Sequence, residues 1–349
     1  SAEEIFRDRK ILKREAFLNL SRSSYLVSKI LILFVLSGIQ AILFVLVGNT
    51  ILGVKDVTFH YWFALFTTAA FANMLGLNIS ASFNSAVTIY ILIPLLIIPQ
   101  MALGGAMFSF DKMNRAIGSV GKVPFVAELM TSRWIYEAML VYQFKDSEFE
   151  KYFYDLDKQI SKANYKTVYY IDKLRDKLNE VEDLIEEENP DKQKLEDNLE
   201  LLRNEITKEK KRVKQLDFNF LSQLTTDSIS DFGIEMTHDY LDDLYNYYSK
   251  VFHHYDSVKQ AKIDIILQKQ PKLFRKKKDT YHNEHIADIV KKVYEKNKIL
   301  EYKNELIQQV DPIYQDPEPE GFFDFRSHFL APKKYFMGTF FDTFWFNLS

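Results

Sequence analysis

Apolar residues form long unbroken runs up to residue 110 and short periodic stripes beyond it. No Asp, Glu, Lys or Arg occurs from Val57 to Phe110, a run of 54 residues in which His60 is the only group titrating near neutrality. A water-soluble domain does not hide so long an uncharged run, because part of it would face solvent. A bilayer span needs about 20 mostly apolar residues, so this run holds two helices with a turn at Asn84-Ser85. A further charge-free run extends from Ile30 to Val54. The pattern predicts an all-α polytopic membrane part in residues 25–110, with spans near 26–48, 59–83 and 86–108.

Polar and small positions interrupt these spans selectively. The second contains Thr67, Thr68, Asn73, Asn78, Ser80 and Ser82, and Gly76 and Ser80 have the small-xxx-small spacing that lets membrane helices approach closely. These groups either glue helices together or form a polar wall, with Asn73 and Asn78 facing a substrate path. The third span contains Pro94 and Pro99, each of which removes a backbone donor and kinks a helix. Gly104-Gly105 follow, so a gating role and a merely bent helix both fit.

Residues 3–22 read as a charged amphipathic helix in which basic side chains outnumber acidic ones. Basic residues beside a span favour the cytoplasmic side, which places segment 1–24 inside and residue 109 outside. In the outer segment 111–145, Val123 to Phe144 is aromatic and too interrupted to span, so it reads as an interfacial or re-entrant helix.

Beyond it the period changes. Ile171, Leu174, Leu178, Val181 and Ile185 keep a 3-4 spacing, as do Leu195, Leu199, Leu202 and Ile206, with Val213 and Leu216 in phase. That is a coiled-coil seam, and the break at Pro190 makes it an antiparallel hairpin. Helices near 237–269 and 280–309 follow, then a linker from Asp311 to Gly321. Residues 146–332 thus form an extracytoplasmic helical insert, and 333–349 read as the start of a last, truncated span.

Composition narrows the chemistry. The formal net charge is -3, which gives no nucleic-acid footprint. There is no cysteine, which excludes disulfides, Cys-ligated zinc and thiol catalysis. Gly118 to Lys122 resembles a phosphate loop but fails it, because Ala116 and Val123 stand where Gly and Ser or Thr are needed. His282 and His285 have a spacing able to share a metal, yet surface histidines are the simpler reading and no metal is expected. Arg275 to Lys278 reads as a solvated basic loop. No nucleophile–base pair is recognisable, so no catalytic residue is assigned to this chain.

Four stretches carry a family resemblance. Glu4, Asp8, Arg9, Leu12, Arg14 and Glu15 occupy an E-x-x-x-D/E-R-x-x-F/Y/L-x-R-E pattern, followed by Ser24-Tyr25 and Ser28-Lys29. Gly76 to Ala81, Pro94 to Gly105 (PLLIIPQMALGG) and Arg133 to Met139 (RWIYEAM) complete the set, in order, over about 145 residues. Together they resemble the transmembrane domain of ABC exporters of the G subfamily.

The resemblance implies a half-transporter fragment without its nucleotide-binding domain and first two spans, with ATP and Mg held in that missing domain and no cofactor in this chain. It implies that Glu4, Asp8, Arg9, Arg14 and Glu15 couple ATPase motion to the spans. It also implies a dimer, most simply a homodimer, with a path at the two-fold axis lined by Ile98 and Met101, and by Ala106 and Met107 above. The function expected is export of a lipid-like or amphipathic substrate by alternating access across a membrane, a bacterial inner membrane by resemblance and composition. The alternatives are a membrane-anchored coiled-coil scaffold, or a force-transmitting ABC protein that moves no substrate. The long insert departs from the family pattern and is the place for a protein partner.

Overall fold

The computed structural model describes residues 2–15, 21–110, 113, 120–319 and 321–349. Gly118 and Ser119 of the failed phosphate loop lie outside the described residues, as does the side chain of Glu15. Among the described residues the architecture is all-α with two small β-hairpins. The chain divides into two units, one made of Ser1–Phe149, Lys277–Ile286 and Pro317–Ser349, the other of Glu150–Lys276 and Ala287–Asp316.

The first unit begins with α1 (Glu4–Glu15), α2 (Arg22–Leu52), α3 (Thr58–Ser82) and α4 (Ala86–Ala102). The 31 residues of α2 and 25 of α3 rise about 46 and 37 Å at ~1.5 Å each, more than the ~30 Å of a bilayer core. Ser21 caps α2 by accepting from Ser24 N, and Gly53 ends it at φ +66°. The two helices pack closely. Trp62 Nε1 donates to the Gly38 carbonyl at 3.0 Å, and Asn73 Nδ2 donates to Ser37 Oγ at 2.7 Å. Away from this seam the apolar surface of α2 is bare, with Leu31, Val35 and Phe44 all more than half exposed. Lipid is the solvent such a surface fits.

The third apolar helix is shorter than its sequence suggests. It ends at Ala102, not Phe108, and its 17 residues rise only about 25 Å. Gly104 lies so close to the preceding turn that a Cβ there would sit 2.9 Å from the Gln100 carbonyl oxygen, and Gly105 takes φ +80°. The chain then returns through α5 (Phe125–Glu128) and α6 (Thr131–Lys145). On α6, Ala138 packs with Ala64 of α3, both fully buried.

The apolar stretch after Lys333 is not helical from its start. It forms a hairpin of β3 (Lys333–Phe336) and β4 (Thr339–Asp342), and only then α13 (Thr343–Leu348). Met337 and Gly338 both take positive φ, the conformation of a two-residue hairpin turn. Aromatic residues serve strands as well as spans, which is why composition alone misplaced this segment.

In the second unit, α7 (Tyr154–Tyr165) runs through one π-helical turn, Lys166–Tyr170, into α8 (Ile171–Glu186), and α9 (Lys192–Arg212) returns antiparallel after Pro190. Leu174, Leu178, Val181, Leu199, Leu202 and Ile206 are fully buried in the seam. Asp191 starts α9 by accepting from Gln193 N and Lys194 N. The pair is not an isolated two-stranded coil, because α10 (Asp231–Lys269) packs on α7 and α8 and adds Tyr240, Leu241, Leu244 and Tyr248 to the same core. Ile185, expected in the seam, is 38% exposed.

The expected helix 280–309 is instead α12 (Glu284–Lys291) followed by β1 (Ile299–Tyr302) and β2 (Glu305–Gln308), paired through Lys303 and Asn304 at positive φ. The basic run is helical too, inside α11 (Pro271–Tyr281). The expected linker begins as core: Ile313 is fully buried and its carbonyl accepts from Tyr154 Oη at 2.6 Å.

The π turn sets a buried ionic group in this core. Lys166 Nζ lies 2.8 Å from Glu209 Oε1 and 3.2 Å above the Tyr170 ring, while Tyr248 Oη donates to Glu209 Oε2 at 2.6 Å. Burial alone would raise the Glu209 carboxyl, but Lys166 and Arg212 outweigh it and hold it down at about 2. A carboxyl depressed on folding stabilises the fold above its ordinary pKa of 4.5 and loses that contribution as pH falls towards 2. Amide exchange of α8 and α9 is therefore expected to accelerate between these pH values beyond the intrinsic trend. Glu209→Gln should remove that pH dependence and, by leaving Lys166 buried without its anion, lower protection at neutral pH by about 3–5 kcal/mol.

Candidate functional site

Helix α1 is tied at two places to the ends of the apolar helices. Glu4 and Asp8, one turn apart on one face, each bring a carboxylate oxygen to 2.9 Å from Lys29 Nζ in α2. Tyr25 Oη donates to Asp8 at 2.9 Å. The Lys29 ammonium holds both carboxyls below their usual range by hydrogen bonding, so both are ionised at neutral pH. On its other side, Arg9 donates to the Ala81 carbonyl at 2.7 Å and to Asn84 Oδ1, and Phe6 N donates to Ser80 Oγ at 2.8 Å. Those acceptors lie at the end of α3 and in the α3–α4 turn. Three of the five predicted coupling residues, Glu4, Asp8 and Arg9, therefore converge on this clamp, whereas Arg14 is exposed. The sequence placed Lys29 only in the Ser28-Lys29 motif and gave no sign of Ser80 and Asn84 as acceptors for α1.

The other predicted positions separate into two groups. Ile98 and Met101 lie on one turn of α4 and are 64% and 56% exposed; Ala106 and the 62%-exposed Met107 follow beyond the helix end. Pro94 and Pro99 both lie inside α4, which continues through them. Asn78 is exposed, but Asn73 is taken up by Ser37 and the Leu33 carbonyl, the gluing role. A cavity of about 810 Å³ lies between α3, α6 and α13, with Thr67, Thr68, Phe71, Trp134, Phe341 and Trp345 in its wall. None of the predicted path residues lines it.

At the far end of α4, Gln100 joins two helices. Its Oε1 accepts from Ser132 N at 3.0 Å, supplying a cap that Met130 cannot give α6, and its carbonyl accepts from Ser132 Oγ at 2.5 Å. This gives the P-Q-x-x-L-G-G stretch a physical meaning: glutamine to cap, glycines to turn.

Beside it lies a buried ionic network that the sequence did not reveal. Arg133 approaches Glu128 at 3.0 Å and Glu137 at 3.5 Å, and Lys334 Nζ lies 2.7 Å from Glu137 Oε1 and from Ser327 Oγ. Leu330 N and Asn347 Nδ2 also donate to Glu137. Arg133, Glu137 and Lys334 are fully buried, and the guanidinium stacks 4.0 Å from Trp134. Burial lifts the Glu128 carboxyl to about 7 against the pull of Arg133, whereas at Glu137 the two cations overcome burial and keep it low. Arg133 and Glu137, four apart in an aromatic helix, were the available signal; their partners Lys334 and Asn347 lie about 200 residues further on.

Among the described residues no group of three His, Asp or Glu sits together to hold a metal. Residues 1–144 match the model of the ABC-2 type transporter family. No curated protein and no solved structure matches the chain. Over these residues the chain is similar to the membrane domain of ABC-2 type transporters.

Removing one member of a buried pair strands the other. Lys334→Met is expected to destabilise the first unit by about 3–5 kcal/mol, seen as a lower midpoint of tryptophan fluorescence in detergent. Adding Glu137→Gln, which removes the unbalanced charge and keeps an oxygen for Leu330 N, should recover part of that loss.

Proposed function

We propose that this chain is the membrane portion of a G-type ABC exporter half, working as a homodimer in a bacterial inner membrane and moving a lipid-like or amphipathic substrate outward by alternating access. The observation that carries this reading is the clamp of α1. A charged helix cross-linked both to the foot of α2 and to the α3–α4 turn transmits a push to three apolar helices at once. ATP and Mg would be held in the nucleotide-binding domain, and Arg14 and Glu15 extend the lever. The substrate face would be α4, where Ile98 and Met101 stand exposed beside Pro94 and Pro99, with Ala106 and Met107 at the outer constriction and Asn78 on the neighbouring helix. The insert would project outside.

One observation favours a second reading, a force-transmitting ABC protein with no transported substrate: the second unit has its own core of Leu, Ile and Tyr residues. ATP-dependent uptake into inverted vesicles separates the two.

The lever is tested in the intact transporter. Glu4→Gln with Asp8→Asn removes both anions from Lys29 and is expected to lower transport at least about tenfold, the effect of ~1.4 kcal/mol, while ATP hydrolysis persists. Transport unchanged by the double substitution would count against the lever. Sidedness has a clean probe because the chain has no cysteine. Asn189→Cys should react with an impermeant maleimide on intact cells and Lys10→Cys only after lysis.

A further inference from the structure

We propose that the outer face of α10 pairs in parallel with the same face of a second copy of this chain. Val251, His254, Val258, Ala261, Ile265 and Gln268 keep an unbroken 3-4-3-4-3 spacing along this helix. That is the a/d spacing of a coiled-coil seam. All but Val251 are exposed, Val258 at 41% and Ile265 at 51% among them.

The helix already has a neighbour on its other side, within the second unit. Lys259 pairs with Asp157 of α7, and Lys262 donates to the Tyr152 carbonyl and lies 5.4 Å from the Phe153 ring. Phe252, Ile263 and Ile266 lie on that covered side and are half-buried. Tyr240 and Leu244 begin the same 3-4 series earlier in the helix, inside the core. A straight helix turns such a series by about 20° per heptad, which carries its later members from the core to the outer face. A surface helix that only shields its own core needs one apolar stripe; α10 carries two.

The flanking charges decide what fits the second stripe. With Val251, Val258 and Ile265 at a, and His254, Ala261 and Gln268 at d, the g positions are Lys250, Ser257 and Asp264 and the e positions Tyr255, Lys262 and Lys269. In a parallel pair each g residue meets the e residue of the partner's next heptad. Asp264 then meets the partner's Lys269, twice by symmetry, and no like charges are opposed. An antiparallel pair sets g against g and e against e and gains no such contact. His254 and Gln268 place polar groups in the seam, a device that fixes register at some cost in stability. A face that complements itself in this way makes a closed two-fold interface. The pairing rests on the homodimer proposed above and locates a contact of that dimer in the insert.

The test uses the full-length protein in its membrane, where this chain brings no cysteine of its own. Under mild oxidation Val258→Cys and Ile265→Cys should each give a disulfide-linked dimer, whereas Gln260→Cys, exposed about a third of a turn away, should not. In the Val258→Cys background at low salt, Asp264→Lys should cut the yield about fivefold, the scale of two exposed ion pairs lost. Adding Lys269→Asp should restore it. An Ile265→Cys yield no higher than that of Gln260→Cys overturns the proposal. So does a charge swap that fails to rescue, or a link formed only when His254→Cys and Ile265→Cys copies are mixed, as antiparallel helices would give. Counting copies per nanodisc by stepwise photobleaching separates this pairing from the homodimer itself. Two copies without the Ile265→Cys link overturn the seam alone, whereas single copies overturn the homodimer as well.

Discussion

A helix of 17 residues rises about 25 Å, less than the ~30 Å of a bilayer core, and that shortfall at α4 governs the first unit. The backbone that follows must turn back at Gly104-Gly105 while still beside the apolar flanks of its neighbours. Irregular backbone at such a depth survives only if protein satisfies every polar group. Gln100 meets this demand for the start of α6 through Ser132. Glu137 meets it for the returning chain, accepting from Leu330 N, Lys334 and Asn347 together. The ionic network is thus a consequence of where α4 ends.

The same constraint explains how the insert is accommodated. Its two flanks are held side by side within the first unit: Val123 N donates to the Ser327 carbonyl, Lys122 pairs with Asp324, and Lys145 pairs with Asp342. Within the second unit, Tyr154 and Lys158 near its start meet Ile313 and Asp316 near its end. Chain ends that lie close together let an insertion be accepted without strain on either body.

Legibility in the sequence followed the range of the interaction. The long apolar helices were readable because a run without charge is a local property, and the α8–α9 seam because its period is. Glu4, Asp8 and Arg9 were readable as a pattern, but their acceptors Ser80 and Asn84 were not, since a hydroxyl and an amide at the end of a span look the same whether or not they receive a bond. The end of α4 was misplaced because Leu103 to Phe110 is as free of charge as the helix before it. The β3–β4 hairpin was misread because Tyr335, Phe336, Phe340 and Phe341 suit a strand and a span equally. Nothing local in Glu137 announces Lys334.

The two ends of the membrane part use charge in opposite ways, and the difference follows from exposure. At α1 the pairs on Lys29 are 19–28% exposed, so water shares in solvating each partner and a pair at such a place contributes about 1 kcal/mol or less. Breaking one and forming another is within reach of a conformational change. At α6 the pairs among Arg133, Glu137 and Lys334 are wholly buried, where separating partners costs about 3–5 kcal/mol. On the proposed function, the movable end is the one that receives the push, and the fixed end is the one against which α4 bends.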